Sequence, residues 1–500
     1  MNEQEMLSPV PETEAHRTLR EGAPFYLLLA AAAGLAFSLL FAHAEMYGLN
    51  ILLFTLVWCG ALHFSLRRLG LENLRATGIW YISALLLALS VFLTANEFVQ
   101  MVSILGLVLT QLFLLLRTGT TLRDWHFSKA VGAVWRLFWH AVGRIAEPFR
   151  HMAALRKNDT HKRARYVVIG LLIAVPLAAL VLTLLSHSDA VFSALLRRLF
   201  GSADLGELLE KILVRVLLFF LAFWAFYGLL CAQTAKPESE GQKDVRRADT
   251  LIAVTFTAVL AVIYAVFCAI QVWAFFGKAA NALPEGYSYA QYAREGFFEL
   301  LAVSAVNVLL VIVSQRRFTT SRALRILLCF LSLCTYIMEA SSVWRMLLYV
   351  QVYGFTFWRL LALWFLLLMA ILLGGTVYTV FHPDFRLFSF ALWLTLALWL
   401  VFAFAKPDTI AVRYDLDRFG VTDNVLECAL YDLSLDVIPS VAASDLPKDG
   451  SLPGIWRDYL THGRIHQRYR EAGVTGFNLS LWQAKRSAEV FTAEVVTNGR

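Results

Sequence analysis

The feature that most constrains this chain is a series of apolar runs, each long enough to cross a lipid bilayer. A membrane-spanning helix needs about 20 predominantly apolar residues to cross roughly 30 Å of hydrocarbon. Runs of about that length recur between Ala23 and Ala405. Because a helix satisfies its backbone hydrogen bonds internally, the pattern predicts an all-α fold: a polytopic transmembrane helix bundle of about eleven spans.

The eleven predicted spans are separated by loops that contain most of the charged residues. They are Ala23 to His43, Gly48 to Leu66, Gly78 to Ala95, Phe98 to Leu116, Tyr166 to Ser186, Ile212 to Gln233, Leu251 to Phe276, Gly296 to Ser314, Ala323 to Met338, Phe357 to Phe381 and Leu387 to Ala405. The ninth is the shortest, and a more polar segment, 339–353, follows it directly.

Composition supports this interpretation and excludes an ordinary soluble protein. Of 500 residues, 59% are hydrophobic and 16% are charged, whereas about 25% of the residues of a soluble protein are charged. Most of the six cysteines fall within apolar runs, so they predict buried thiols and no disulfide framework. The net charge of +7 arises in alternate loops, which favours an anionic membrane surface over nucleic acid as its partner.

Lys and Arg collect in every second loop, and the basic segment 117–165 is the largest. Basic loops stay on the cytoplasmic side, so the N-terminus is predicted inside. An odd number of spans then places the tail after Lys406 outside. The predicted organisation is a disordered tail over 1–22, a four-helix region over 23–116, the basic inner loop 117–165, the main membrane domain 166–405 and a small extramembrane module over 406–500.

The basic inner loop contains an amphipathic pattern. Apolar residues recur at helical spacing from Phe127 to Met152, opposite a basic face. This predicts a helix, kinked near Pro148, that either lies in the inner membrane interface or packs against the other spans. In the tail, Asn424 to Val441 and Ile455 to Glu471 predict helices, and the Thr- and Val-rich segment from Ala488 to Thr497 predicts a short strand.

Polar residues within or beside the predicted spans are candidates for a binding site, because burying them in lipid is costly. They are Glu295, Glu299, Asn307, Arg345, Tyr349 and Arg359. Glu295 and Glu299 share one face of a helix, and Arg345 precedes Tyr349 by one turn. We hypothesise that Arg345 pairs with Glu299.

Motifs for the common hydrolytic and nucleotide-dependent chemistries are missing. The sequence contains no His-Glu-x-x-His helix, no Gly-x-Ser-x-Gly elbow and no phosphate-binding loop ending in Gly-Lys-Ser/Thr. His462 and His466 have a metal-like spacing but lack a third ligand. We therefore predict no catalytic residue, no metal and no cofactor.

Four ordered motifs are similar to a known family. They are Tyr292-Ala-Arg-Glu-Gly-Phe-Phe-Glu299, the segment Arg345 to Arg359 with Tyr349, Tyr353 and Gly354, then Pro407-Asp408-x-Ile410-Ala411, and Leu433-Ser-Leu-Asp436-Val-Ile-Pro439. Together they resemble bacterial polytopic membrane proteins known only as a domain of unknown function, over roughly residues 165 to 445. The chain departs from that pattern at Lys406 and Tyr414, where asparagines are expected. The resemblance implies a bacterial cytoplasmic membrane protein and supplies no substrate.

Three functions remain open at this point. The first is non-enzymatic binding or transport of a small solute or ion, or assembly with a partner, through the polar intramembrane residues. The second is a membrane-embedded transferase for envelope or lipid-linked substrates, with Glu295 or Glu299 as its base. The third is a signalling or scaffold component whose inner amphipathic helix and C-terminal module contact a protein partner.

Overall fold

The computed structural model describes residues 13–71, 74–119, 127–154, 205–234, 249–276, 297–319, 321–444 and 464–498, together with four single helical positions at 174, 178, 181 and 185. Within these residues the secondary structure is almost entirely helical. The helices up to the last span are α1 (Glu14–Glu21), α2 (Ala23–Phe41), α3 (Leu49–Arg68), α4 (Leu74–Leu93), α5 (Glu97–Gly119), α6 (Phe127–Val142), α7 (Glu147–Ala154), α8 (Leu205–Gln233), α9 (Thr250–Phe276), α10 (Phe297–Arg317), α11 (Arg322–Tyr353), α12 (Phe357–Phe381) and α13 (Leu387–Phe404).

Eight of the described helices are long and apolar enough to cross a membrane, and two shorter apolar helices, Thr77–Leu93 and Glu299–Gln315, lie within α4 and α10. These helices coincide with every predicted span except the fifth. That span, Tyr166 to Ser186, lies outside the described residues apart from the four helical positions named above. The predicted all-α polytopic bundle is confirmed.

The longest helix corrects the predicted end of the ninth span. The expected span Ala323 to Met338 and the polar segment after it form one helix, α11, of 32 residues. At 1.5 Å per residue this helix is about 48 Å long, more than the hydrocarbon thickness. It ends at Tyr353 and is followed by Gly354, whose φ of 74° lies in the left-handed region that favours glycine.

The two ends of the bundle are distinguished by what packs there. At one end, which we call the N-terminal end, Leu19 of α1 joins a buried cluster with Leu66, Leu114 and Leu230, which lie towards the C-terminal ends of α3, α5 and α8. At the other, the module end, the loops before α3 and α5 meet the C-terminal module. Helix α1 and the module therefore lie at opposite ends of the bundle.

Segment 1–22 is predicted from sequence to be disordered. Its described residues, 13–22, contain helix α1. Thr13 caps it, since its side chain accepts a hydrogen bond from the His16 N–H at 3.2 Å. The same hydroxyl donates to the backbone oxygen of Thr234, and His16 Nδ1 lies 3.0 Å from Thr234 Oγ1. These contacts attach α1 to the end of α8.

The C-terminal module comprises α14 (Pro407–Phe419), α15 (Asp423–Tyr431), a 3₁₀ turn (Leu435–Val437), α16 (Ile438–Ala442), α17 (Arg464–Ala472) and α18 (Leu479–Asn498). Three predicted elements differ. The helix expected over Asn424 to Val441 is interrupted after Tyr431, and the helix expected over Ile455 to Glu471 is described only from Arg464.

The third difference is the strand predicted over Ala488 to Thr497, which is wrong because this segment belongs to α18. Ala484, Ala488 and Phe491 fall on one helical face and are buried in the module core with Val437. Burial of that face outweighs the β-propensity of the Thr- and Val-rich sequence.

Helices α6 and α7 show how the amphipathic segment is arranged. Helix α6 ends at Val142, and Pro148 lies in the first turn of α7, where proline is tolerated. The chain therefore turns before Pro148 and the predicted kink within one helix is wrong. Along one edge, α6 packs against α8: a Cβ at Gly228 would lie 2.8 Å from the Ala141 oxygen. The sequence left open whether this helix lies in the membrane interface or packs against the spans. Along this edge, α6 packs against a span.

Candidate intramembrane binding site

A stripe of polar residues runs along the buried face of α11. Ser332, Thr335, Glu339 and Ser342 follow helical spacing, and each is at most 4% exposed. The three hydroxyl groups donate to backbone oxygens of the preceding turn, at 2.8 to 3.0 Å. These bonds satisfy the hydroxyl donors without a partner helix. The fourth residue, Glu339, makes no such hydrogen bond within the helix.

Glu339 is the buried carboxyl group of this stripe. It lies near the middle of α11, its side chain is 4% exposed, and neither carboxylate oxygen has a hydrogen-bond partner among the described residues. A buried carboxylate normally needs hydrogen bonds, a counter-ion or a proton. An acidic residue at this depth in a span is therefore a candidate functional group.

Helix α10 adds a fifth polar residue to the stripe. Asn307 is fully buried, and its Nδ2 donates to Thr335 Oγ1 at 2.9 Å. Thr335 precedes Glu339 by one helical turn, so Asn307, Thr335 and Glu339 lie along the same side of α11. We refer to Asn307, Ser332, Thr335, Glu339 and Ser342 as the polar stripe.

Further polar contacts join the helices on either side of the stripe. Ser341 Oγ donates to Gln271 Oε1 of α9 at 2.9 Å. Nearer the N-terminal end, Thr379 Oγ1 of α12 donates to Gln315 Oε1 of α10 at 2.7 Å. Polar groups of α9 to α12 thus occur at several depths in this part of the bundle.

Two of the residues singled out from sequence meet at the end of α11. The Arg359 guanidinium lies 4.1 Å from the centre of the Tyr349 ring, and its Nη1 donates to the backbone oxygens of Tyr353 at 2.9 Å and Gly354 at 2.5 Å. Arginine thereby satisfies carbonyl groups that a helix leaves free at its C-terminus. This arrangement caps α11 and stands apart from the polar stripe.

The other predicted site residues have different positions. Asn307 belongs to the polar stripe, whereas Glu299 is exposed in the first turn of α10. Arg345 is half-buried on α11, and Glu295 lies outside the described residues. The proposed Arg345–Glu299 pair stays a prediction. Sequence reasoning missed Glu339, although an acidic residue directly following an apolar run was a usable signal.

Two buried carboxyl groups attach the module to the loop between α4 and α5. Asp436 Oδ2 accepts from Thr94 Oγ1 at 2.5 Å, and its Oδ1 accepts from the Ala95 N–H at 2.9 Å and from Ser480 Oγ. Asp408 Oδ2 accepts from Asn96 Nδ2 at 2.8 Å. We call Asp408 and Asp436 the docking carboxylates.

The docking carboxylates have a structural role in the fold. Burial raises the pKa of the Asp408 carboxyl group, while hydrogen bonds from Ser434 and Asn96 act in the opposite direction. Among the described residues, no three His, Cys, Asp or Glu side chains are grouped to hold a metal ion. Both carboxylates were noted from sequence only as part of the family resemblance.

These features define an all-α, polytopic integral membrane protein with a small helical module at one end and a buried polar stripe between spans. The chain belongs to the family described as a domain of unknown function, DUF4153, whose model matches residues 81–444. That range includes the polar stripe and both docking carboxylates, and it confirms the resemblance found in the sequence. No curated protein and no solved structure matches the chain.

Proposed function

We propose that the protein binds a small cation or a small solute with a cationic or hydrogen-donating group at the polar stripe, within the membrane. The observation that supports this is Glu339: it is buried, central in a span and without a hydrogen-bond partner among the described residues. A bound cation or donor would supply the missing partner. Asn307, Thr335 and Ser342 would add oxygen atoms along the same helical side.

The position of the stripe favours binding or transport over catalysis. It lies between spans, whereas a transferase for envelope substrates needs its base near the membrane surface. Glu299, exposed at the start of α10, has that position. Of the other sequence-derived candidates, the described Arg345, Tyr349 and Arg359 are not part of the proposed site. A comparison of Glu339 with Glu299 therefore separates the two functions.

We further propose a bacterial cytoplasmic membrane as the location, with the N-terminal end facing the cytoplasm. The described basic residues support this orientation. Arg67 and Arg68 end α3, Arg317 ends α10, and Arg322 and Arg325 begin α11, all at the N-terminal end. Basic residues at one end are the usual sign of the cytoplasmic side.

The test is thermal unfolding of the purified full chain in proteoliposomes with added LiCl, NaCl or KCl, amino acids or sugars. A ligand at about 100 times its Kd stabilises the bound protein by about 2.7 kcal/mol. We expect one of these probes to raise the thermal unfolding midpoint of the wild type and of Glu299→Gln. The same probe should leave the midpoint of Glu339→Gln unchanged.

The Glu339→Gln substitution also has an expected effect on stability when no ligand is present. Glu339 has no hydrogen-bond partner among the described residues, so replacing its carboxyl group should leave the free energy of unfolding unchanged or raise it, by up to about 3 kcal/mol. If the probe-induced rise in the unfolding midpoint is lost only in Glu299→Gln, the result would favour the transferase. A folded wild type that responds to none of the probes would contradict the proposal and favour a scaffold.

A further inference from the structure

A large cavity lies between α6 and six of the spanning helices. Its volume is about 1790 Å³, and α4, α5, α6, α8, α10, α12 and α13 contribute to its wall. Trp364 and Trp399 line it, and their indole N–H groups donate elsewhere, to the Leu398 oxygen at 2.9 Å and to Ser103 Oγ at 3.0 Å. These side chains therefore present apolar ring surfaces to the cavity.

The face of α6 that lines the cavity is exposed. Phe127, Val131, Trp135 and Phe138 are 53% to 73% exposed and belong to the cavity wall. Burying this apolar surface against another apolar molecule, and away from water, is favourable. In a chain whose spans lie in lipid, the hydrocarbon closest at hand is the acyl chain of a membrane lipid.

One charged side chain is found in the described wall of the cavity. Arg317 is the last residue of α10, is exposed, and lies at the N-terminal end of the bundle, the same end as α6. A guanidinium binds phosphate oxygens with paired hydrogen bonds. The wall thus combines a large hydrocarbon-lined volume with one cation at the end where α6 lies.

We propose that this cavity binds a phospholipid with a net negative headgroup, its acyl chains inside and its phosphate at Arg317. A zwitterionic headgroup brings its own ammonium group, so a single guanidinium favours it less than an acidic headgroup. The lipid would also cover the exposed apolar face of α6. This site is separate from the polar stripe, and the proposal does not depend on a ligand there.

The headgroup contact is tested by native mass spectrometry of the purified full chain with equal amounts of dioleoyl phosphatidylglycerol and dioleoyl phosphatidylcholine. The wild type should retain one phosphatidylglycerol in preference to phosphatidylcholine. Arg317→Ala should reduce that preference about five-fold, since one basic residue near a membrane surface contributes about 1 kcal/mol. Arg325→Ala is the matched control, because Arg325 is exposed at the same end but does not line the cavity.

The acyl-chain site is tested by filling it. Gly106 lines the cavity, and a Cβ there would make only ordinary contacts, 3.5 and 3.6 Å from Leu87. Gly106→Phe should reduce retention of both lipids, whereas Gly60→Phe, at a position with nothing within 4 Å, should not. Equal losses in Arg317→Ala and Arg325→Ala would overturn the proposal. Wild-type lipid retention in a folded Gly106→Phe variant, or no lipid retained by the wild type, would overturn it as well.

Discussion

A carboxyl group of the C-terminal module contacts the turn between α11 and α12. Asp415 of α14 accepts a hydrogen bond from the Phe355 N–H at 2.7 Å, and a Cβ at Gly354 would collide with that carboxylate. Burial raises the pKa of Asp415 to about 6, although the Phe355 N–H and Arg359 favour its ionised form. The contact between the membrane domain and α14 is therefore sensitive to protonation.

We predict that Asp415→Asn changes the pH dependence of stability. With a folded pKa raised above its unfolded value, the folded protein binds more protons, so the free energy of unfolding falls as pH rises from about 4 to 6. The variant should lack this contribution and be more stable than the wild type at pH 7, by up to about 3 kcal/mol. Thermal unfolding midpoints between pH 4 and 8 measure the difference. Parallel pH profiles for the two proteins would contradict the prediction.

Lys406 occupies a strained backbone position. Its φ of 52° lies in the left-handed region, where asparagine is enriched, and asparagine is the residue that the resemblance leads one to expect. Its Nζ lies 3.4 Å from Ser480 Oγ and 3.5 Å from Gln483 Oε1. Lysine reaches α18 from here, which the shorter asparagine side chain could not do.

The candidate site was only partly predictable from sequence. Asn307 was found because an amide within an apolar run is conspicuous. Glu339 was missed because hydropathy ends the ninth span at Met338, and only the continuous helix α11 places Glu339 near the middle of a span. Which acid faces a neighbouring helix depends on packing, and a pattern along one chain does not contain that information.

At the scale of elements, close approach of α6 to α8 depends on a small residue. The nearest atoms to a Cβ at Gly228 would be backbone atoms of Ala141, so a side chain could be accommodated only by moving α6. Small residues at helix interfaces are common in membranes because they let backbones approach. The amphipathic pattern predicted α6, but it contained no sign of which edge would meet α8.

We predict that Gly228→Val displaces α6 and costs about 1 to 3 kcal/mol, the usual range for overpacking. The turn after α6 contains Arg144, whose Nη1 donates to the Cys231 oxygen at 3.0 Å. Displacement should break this hydrogen bond and accelerate tryptic cleavage at Arg144. The cleavage rate is measured by peptide mapping. Gly60→Val serves as the control, because a Cβ at position 60 would have no other atom within 4 Å. Equal cleavage rates in the two variants would show that the close approach is unimportant.

At the scale of the whole molecule, packing places α1 and the C-terminal module at opposite ends of the bundle. The span pattern and the all-α class could be read from the sequence because hydropathy is a local signal. The division of the module into short helices could not, since its core joins residues distant in sequence, such as Val437 and Phe491.

We predict opposite accessibility for Glu14→Cys and Val474→Cys in spheroplasts. Val474 is 84% exposed on the module and should react with a membrane-impermeant maleimide. Cysteine at position 14 should react only after permeabilisation. The background from native thiols should be low, because four of the six are buried and burial raises the pKa of Cys428 to about 11. Labelling of both positions from the same side would contradict the observed arrangement.

The attachment of the module has a consequence for the order of events during protein synthesis. Thr94 and Asp436, which bond to each other, are separated by 342 residues. At about 5 to 20 residues per second, the ribosome needs roughly 20 to 70 s to supply the second after the first. The loop between α4 and α5 is therefore synthesised long before Asp436. The module can dock on this loop only after the last span has been translated. Docking is thus a late step in assembly, and a ribosome that stalls before Asp436 leaves that loop without its partner.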